Sequence, residues 1–437
     1  MTRTTQLAIA IGAIVAMGGV YVASRPPAPT TAPTTATATA TATASASAFD
    51  EHATPRRYDI HHVLGTGQSL SVGTVGVPPL TFAQPYANLM FDGGVMPESE
   101  LGGFVPLHEG DLIPGSQMRV ETMSSGFANL VTSLSHGDHA ILVSLHGIGG
   151  EAYAALKKGG TRGAYENGLA QARAAKEDAE RLGKSYVVTA VTNVHGETDH
   201  MIGNDRYDQD LVEWQSDYDT DVRAITGQTE PIPMFETQIS SWTRYGAPTS
   251  TIPAQQLAAH VAAPGRVILV GAKYHLPYSS DGIHLSNEGY RHMGEDYAKA
   301  YRRVVLEHGT WEPVRPKSIT RDGRTITIAF HVPAPPLVFD TKLVSDPGNY
   351  GFEYGDDTSS AVIESVALAG ADRVAIKLSA APTGEHRRIR YAWSAKPGAH
   401  AGPQTGPRGN LRDSDATPSL HGYALFDWCV HFDEPVP

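Results

Sequence analysis

The sequence predicts a doubly wound α/β domain followed by a mostly β region, on three observations. Five short runs rich in Val, Ile and Leu recur between residues 60 and 270, and they are continuous rather than alternating. That is the pattern of strands buried on both faces of a parallel sheet. The stretches between them carry helical periodicity, and strands alternating with helices build such a sheet. After Trp311 the pattern shifts to short strands punctuated by Pro and Gly.

The strands are expected at His62-Val63-Leu64, Ala140 to Leu145, Tyr186 to Val191, Ile232 to Phe235 and Val267 to Val270. Between them, Arg162 to Leu182 sets Leu169, Ala170, Ala174 and Leu182 near one helical face, with Gly183 as a stop signal. Ser286 can cap a helix running through Tyr290, Met293, Tyr297, Ala298 and Tyr301. In the β region, Ser318 to Arg321 and Arg324 to Ile328 flank Asp322-Gly323, a strong hairpin signal. Val362-Ile363, Val374 to Leu378 and Ile389 to Trp393 continue as short strands. Residues 56–310 are read as the α/β domain and 312–437 as a β-rich accessory domain of sandwich type.

The N-terminus reads differently. Arg3 precedes an apolar run from Leu7 to Ala23, with small residues at Val22-Ala23-Ser24. Residues 1–24 fit either a cleaved signal peptide or an uncleaved membrane anchor. No cysteine follows the run, which excludes a lipoprotein anchor. Residues 25–50 are almost entirely Pro, Ala, Thr and Ser, the composition of a disordered spacer. The bulk of the chain is therefore expected outside the cytoplasmic membrane, secreted or tethered.

The formal charge of −12 argues against nucleic acid as the main partner, since phosphate binding needs clustered Lys and Arg. The single cysteine, Cys429, excludes an intrachain disulfide and a multi-cysteine zinc site. Its apolar surroundings mark it as a buried structural thiol.

Three groups of residues carry chemistry. Gly65-Thr66-Gly67-Gln68-Ser69 places Ser69 just beyond the first strand, at the carboxyl edge of the sheet where open α/β folds hold ligands. A serine hydroxyl is a poor nucleophile without a base. Ser280-Asp281-Gly282-Ile283-His284 offers one, after the fifth strand and on the same edge. Asp281 can accept from one imidazole nitrogen of His284 and leave the other facing Ser69. The turn His146-Gly147-Ile148-Gly149-Gly150 follows the second strand, and its glycines let amides approach an oxyanion. Asn193-Val194-His195-Gly196-Glu197 follows the third, with His195 as a side-chain donor to the same hole.

Together these loops resemble the SGNH (GDSL-type) hydrolase superfamily, and most closely its carbohydrate-esterase branch, which includes sialate O-acetylesterases. That branch has Gly-Gln-Ser, as at Gly67-Gln68-Ser69, a Gly-Gly turn like Gly149-Gly150, and a closing Asp-x-x-His matched by Asp281 and His284. The resemblance covers about residues 60 to 305 and departs at His195-Gly196-Glu197, where the branch usually has Gln-Gly-Glu. It implies a three-layer α/β/α, flavodoxin-like domain with a five-stranded parallel sheet. It also implies cofactor-free hydrolysis of O-acetyl groups on a polysaccharide or oligosaccharide through an acyl-serine. Ser69, Asp281 and His284 would be catalytic. The oxyanion hole would be the Ser69 amide, Gly150, Gly149 and His195, with Gln68 and Glu197 in support.

Two rivals stand beside this reading. His195, Glu197, Asp199 and His200 lie close in sequence, and in extended backbone the first three share a face, as a metal hydrolase would need. Alternatively, Tyr391, Trp393 and Trp428 form a sugar-stacking platform on a non-catalytic binding protein, although aromatics on strands are more often core. The polar loop Gly409 to Asp415 shows no complete calcium-ligand pattern.

Overall fold

A computed structural model describes residues 58–97 and 101–437. The segments read as signal or anchor (1–24) and spacer (25–50) lie outside the described residues. Among the described residues no helix is long and apolar enough to cross a membrane. The described residues form one compact unit.

The central sheet has seven strands among the described residues. They are β1 (Ile60–Gly67), β2 (Leu89–Phe91), β3 (Phe104–Pro106), β4 (Ile141–Leu145), β5 (Tyr186–Val194), β6 (Met234–Gln238) and β7 (Val267–Ala272), in the order β3-β2-β4-β1-β5-β6-β7. The strands expected from sequence are β4-β1-β5-β6-β7, all parallel, which is the flavodoxin-like order. The expected five-stranded sheet is thus wider than predicted. Strand β2 adds in parallel to β4, and β3 closes the edge antiparallel to β2. Each of these is three residues long, too short for periodicity to reveal.

Among the described residues seven α-helices flank the sheet: α1 (Ser124–Leu134), α2 (Tyr153–Leu156), α3 (Ala164–Arg181), α4 (Glu197–Ile202), α5 (Tyr207–Thr226), α6 (Ile252–Ala262) and α7 (Asn287–Tyr301). Every residue of β1 is buried, because both its faces are covered. On one face Val63 packs with Phe127 of α1 and with Tyr290 and Tyr297 of α7. On the other, Leu64 packs with Leu169 of α3, Trp214 of α5 and Ile252 of α6. This is the three-layer arrangement. Helix α7 starts where the sequence places it, with the Ser286 hydroxyl accepting from the Gly289 amide at 3.1 Å.

The β region contains β8 (Arg315–Asp322), β9 (Thr325–His331), β10 (Val338–Phe339), β11 (Phe352–Gly355), β12 (Ile363–Leu368), β13 (Arg373–Leu378), β14 (Arg388–Tyr391), β15 (Leu411–Arg412) and β16 (Phe432–Pro435). Strands β8 and β9 form the hairpin expected at Asp322-Gly323. A four-stranded sheet β12-β13-β9-β8 faces a three-stranded sheet β11-β14-β16. Ile326, Ile328, Val374 and Ile376 of the first share a core with Phe352, Ile389 and Phe432 of the second. The same core takes in Leu269, Ala272 and Tyr274 from the end of the α/β part. Tyr391, Trp393 and Trp428 are at most 8% exposed, so they are core residues and not a stacking platform. Cys429 is buried, and its burial pushes the thiol well above the usual range.

Candidate active site

The carboxyl ends of β1, β4, β5 and β7 converge on one edge, and the side chains singled out in the sequence emerge there. Strand β1 ends at Gly67, which has φ of +124° and abuts the Val194 carbonyl of β5. A Cβ at that position would lie 2.3 Å from this oxygen, so the turn requires glycine. The turn is then held by the Gln68 amide donating to the Val194 carbonyl at 3.1 Å and by the Ser71 hydroxyl donating to the Gln68 carbonyl at 2.7 Å. Ser69 is left half-buried at the mouth of the edge.

His284 Nε2 stands 2.8 Å from Ser69 Oγ, and His284 Nδ1 stands 2.6 Å from Asp281 Oδ2. The other oxygen of Asp281 accepts from the Ser279 hydroxyl at 2.7 Å, the Ile283 amide at 2.8 Å and the His284 amide at 2.9 Å. Burial alone would raise this carboxyl. The bonds from the His284 ring and the two amides outweigh burial and hold it well below the usual carboxylate range. Asp281 is thus an anion locked in one orientation, and it presents a single oxygen to the imidazole.

The turn after β4 closes over Ser69. The His146 amide donates to the Gly65 carbonyl at 2.8 Å and the Ile148 amide to the Gly67 carbonyl at 2.9 Å. Gly149 lies against Ser69, where a Cβ on it would meet the Ser69 Cβ at 3.5 Å. Gly150 has φ of +77°. The amides of Ser69, Gly149 and Gly150 have no acceptor among the described residues, so they are available to a developing oxyanion.

His195 is not among these donors. Its Nδ1 meets the Tyr207 hydroxyl at 2.7 Å, and its Nε2 meets the Glu151 carbonyl at 3.0 Å. Its ring is wedged between Tyr207 and Trp214. Both nitrogens are committed inside the protein, which leaves neither to aim at Ser69. The rival metal set is not assembled either. Residues from Glu197 onward are helical, so the extended geometry that would put three ligands on one face does not arise. Asp199 accepts from the Tyr153 amide at 3.0 Å and from the Asn204 side chain at 2.8 Å, and Glu197 meets Gln68 and Lys273 instead.

Gln68 and Glu197 do form a support. Gln68 Nε2 donates to Glu197 at 2.9 Å, and Gln68 Oε1 accepts from the Thr198 amide at 3.3 Å. Beneath them lies a residue sequence reasoning passed over. Lys273 donates to Glu197 at 3.3 Å, with both side chains at most 1% exposed. Glu236 also sits close enough to Lys273 to feel its charge, yet burial pushes the Glu236 carboxyl up to about 8. The available signal was a lysine directly after the apolar run Val267 to Ala272, an expensive place for an unpaired charge. At the rim, Arg244 Nε donates to the Asp281 carbonyl at 2.9 Å and its guanidinium is exposed.

The loop carrying Asp281 and His284 is braced from the β region. The Ala401 amide donates to the Gly282 carbonyl at 3.0 Å, and His400 packs against Gly282. The Thr243 hydroxyl donates to the Ala399 carbonyl at 2.9 Å.

Residues 105–303 match the family model described as carbohydrate esterase, sialic acid-specific acetylesterase. The match begins after Ser69 and includes Gly149, Gly150, Asp281 and His284. Among solved structures, a carbohydrate acetylesterase from Xanthomonas citri is 17% identical with a TM-score of 0.55, covering 86% of this chain and 80% of that one. A protein from Arabidopsis thaliana is 18% identical with a TM-score of 0.41, covering 55% of this chain and 97% of that one. A carbohydrate acetylesterase from Sinorhizobium meliloti is 14% identical with a TM-score of 0.31, covering 55% and 97%. No curated protein sequence matches the chain.

Proposed function

We propose that the chain is a carboxylic ester hydrolase of the SGNH type that removes O-acetyl groups from a carbohydrate through a Ser69-His284-Asp281 acyl-enzyme mechanism. The observation that carries the mechanism is the unbroken line Ser69 Oγ, His284 and Asp281, at 2.8 and 2.6 Å. Asp281 fixes the tautomer with the proton on Nδ1 and leaves Nε2 bare toward the hydroxyl. His284 takes the Ser69 proton as the oxygen attacks the acetyl carbonyl. The oxyanion is received by the free amides of Ser69, Gly149 and Gly150. His284 then protonates the departing sugar hydroxyl, and water repeats the sequence to release acetate.

The acetyl group and the carbohydrate rest on the family match. The signal-like N-terminus supports action outside the cytoplasmic membrane. The test is acetate release from a panel of O-acetylated glycans and from a short-chain aryl acetate, comparing wild type with Ser69→Ala and His284→Ala. Each variant is expected to lose turnover, and a serine-reactive phosphonate is expected to label Ser69 in mass spectrometry. Wild-type turnover in both variants would sink the mechanism.

A further inference from the structure

A second cluster of chemistry-bearing side chains lies outside the esterase machinery. His275 follows β7, and His292 and Asp296 lie one turn apart on α7. One ligand atom from each lies within 4.8 Å of the others. His275 Nε2 is 3.1 Å from Asp296 Oδ2, and His292 Nε2 is 3.9 Å from Asp296 Oδ1. Zinc bonds of about 2.0–2.2 Å at tetrahedral angles place neighbouring ligand atoms about 3.3–3.6 Å apart. The two observed separations bracket that edge, so a small shift closes the set around an ion.

Three further observations point the same way. His292 and Asp296 are each only 8% exposed, yet His292 Nε2 and Asp296 Oδ1 have no hydrogen-bond partner. Buried polar atoms are rarely left so, and these two face one another. The rings are held in place from outside the cluster, with His292 stacked on Tyr423 at 4.6 Å and His275 stacked on Trp428 at 5.8 Å. Such packing fixes ligand orientation before an ion arrives. Lys299, whose charge also reaches Asp296, makes its ion pairs elsewhere, with Asp427 at 2.7 Å and Asp415 at 3.0 Å.

We propose that His275, His292 and Asp296 form a binding site for a divalent zinc-like cation. Two imidazoles and one carboxylate are a borderline donor set suited to zinc, with water as the fourth ligand. The ion has a structural place in the fold. Residues 273–286 carry Asp281 and His284, His275 stands near their start, and α7 follows directly. The cation ties the two ends of that segment together.

The experiment uses the whole chain, stripped with a chelator, dialysed and titrated with zinc sulfate by calorimetry and by thermal melting. One zinc ion per chain with micromolar or tighter affinity and a raised Tm is expected. His292→Asn and Asp296→Asn should each weaken binding at least ~100-fold, since even outer-shell partners are worth ~10–100-fold. Zinc-edge anomalous diffraction from wild-type crystals should show a peak between the three ligand atoms, and this readout does not depend on how the variants fold. The proposal is overturned if wild type takes up no zinc at micromolar concentration, if both variants bind it undiminished, or if the peak lies elsewhere.

Discussion

Asp281→Asn isolates what the carboxylate contributes. Its Oδ1 accepts three donors, from Ser279, Ile283 and His284, so an amide must put its oxygen there. The NH₂ then takes the place of Oδ2, 2.6 Å from His284 Nδ1. An NH₂ group cannot accept, so the imidazole must turn its bare nitrogen toward it and carry the proton on Nε2. That proton then faces Ser69 Oγ at 2.8 Å, where the base should be. The equivalent tautomer error in a serine protease triad lowers kcat about 10⁴-fold, or about 5.4 kcal/mol of barrier. The fold should survive, because the three Oδ1 bonds are kept. Continuous release of nitrophenol from an aryl acetate measures kcat, and far-ultraviolet circular dichroism with a melting curve checks integrity. A folded Asp281→Asn protein turning over within about tenfold of wild type would refute the tautomer argument.

Three other outcomes follow from the geometry. Gly150→Ala asks an L-residue to hold φ of +77° and tilts an amide proposed to receive the oxyanion; kcat should fall ~10²-fold or more with KM little changed, and steady-state kinetics on the aryl acetate decides it. Lys273→Met removes the buried cation beside Glu197 and leaves it only the Gln68 bond; urea unfolding should show a loss of about 3–5 kcal/mol, and an unchanged midpoint would contradict the pairing. Glu236 has a folded pKa raised from 4.5 to about 8, so its contribution is complete below pH 4.5 and is lost as pH rises through 8. Wild-type stability should therefore fall by up to about 1.4 kcal/mol per pH unit across that window, and Glu236→Gln should flatten the slope in urea titrations at successive pH values.

The parts of the site that sequence alone revealed share one property, which is that each is local. Ser69 sits directly after a strand, and Asp281 and His284 are three residues apart before a capped helix. Their chemistry needs only a neighbour in sequence and a common sheet edge. The five main strands were legible for a similar reason, since burial on both faces writes continuous apolar runs. Strands β2 and β3 were not, because three residues carry no period. His195 shows the limit of position without direction. Its loop lies on the right edge, but Tyr207, twelve residues on, and Glu151, from another loop, take both its nitrogens. Lys273 meets Glu197, and Glu236 comes within reach of the lysine's charge, only through tertiary packing, so no spacing announces them. Trp428 and Trp393 lie outside the named strands and are buried all the same, as large aromatics usually are.

The brace on Gly282 sets the order in which the site comes into being. Ala401 and His400, which steady the Asp281 loop, lie more than a hundred residues beyond it in the chain. A growing polypeptide that has completed the parallel sheet therefore still lacks the prop under its acid–base pair. The loop gains this support only once residues near 400 have been made and have folded back over the sheet edge. The same dependence constrains evolution by recombination. An α/β part moved onto another C-terminal partner would bring its serine along and leave behind the support that keeps histidine and aspartate in register.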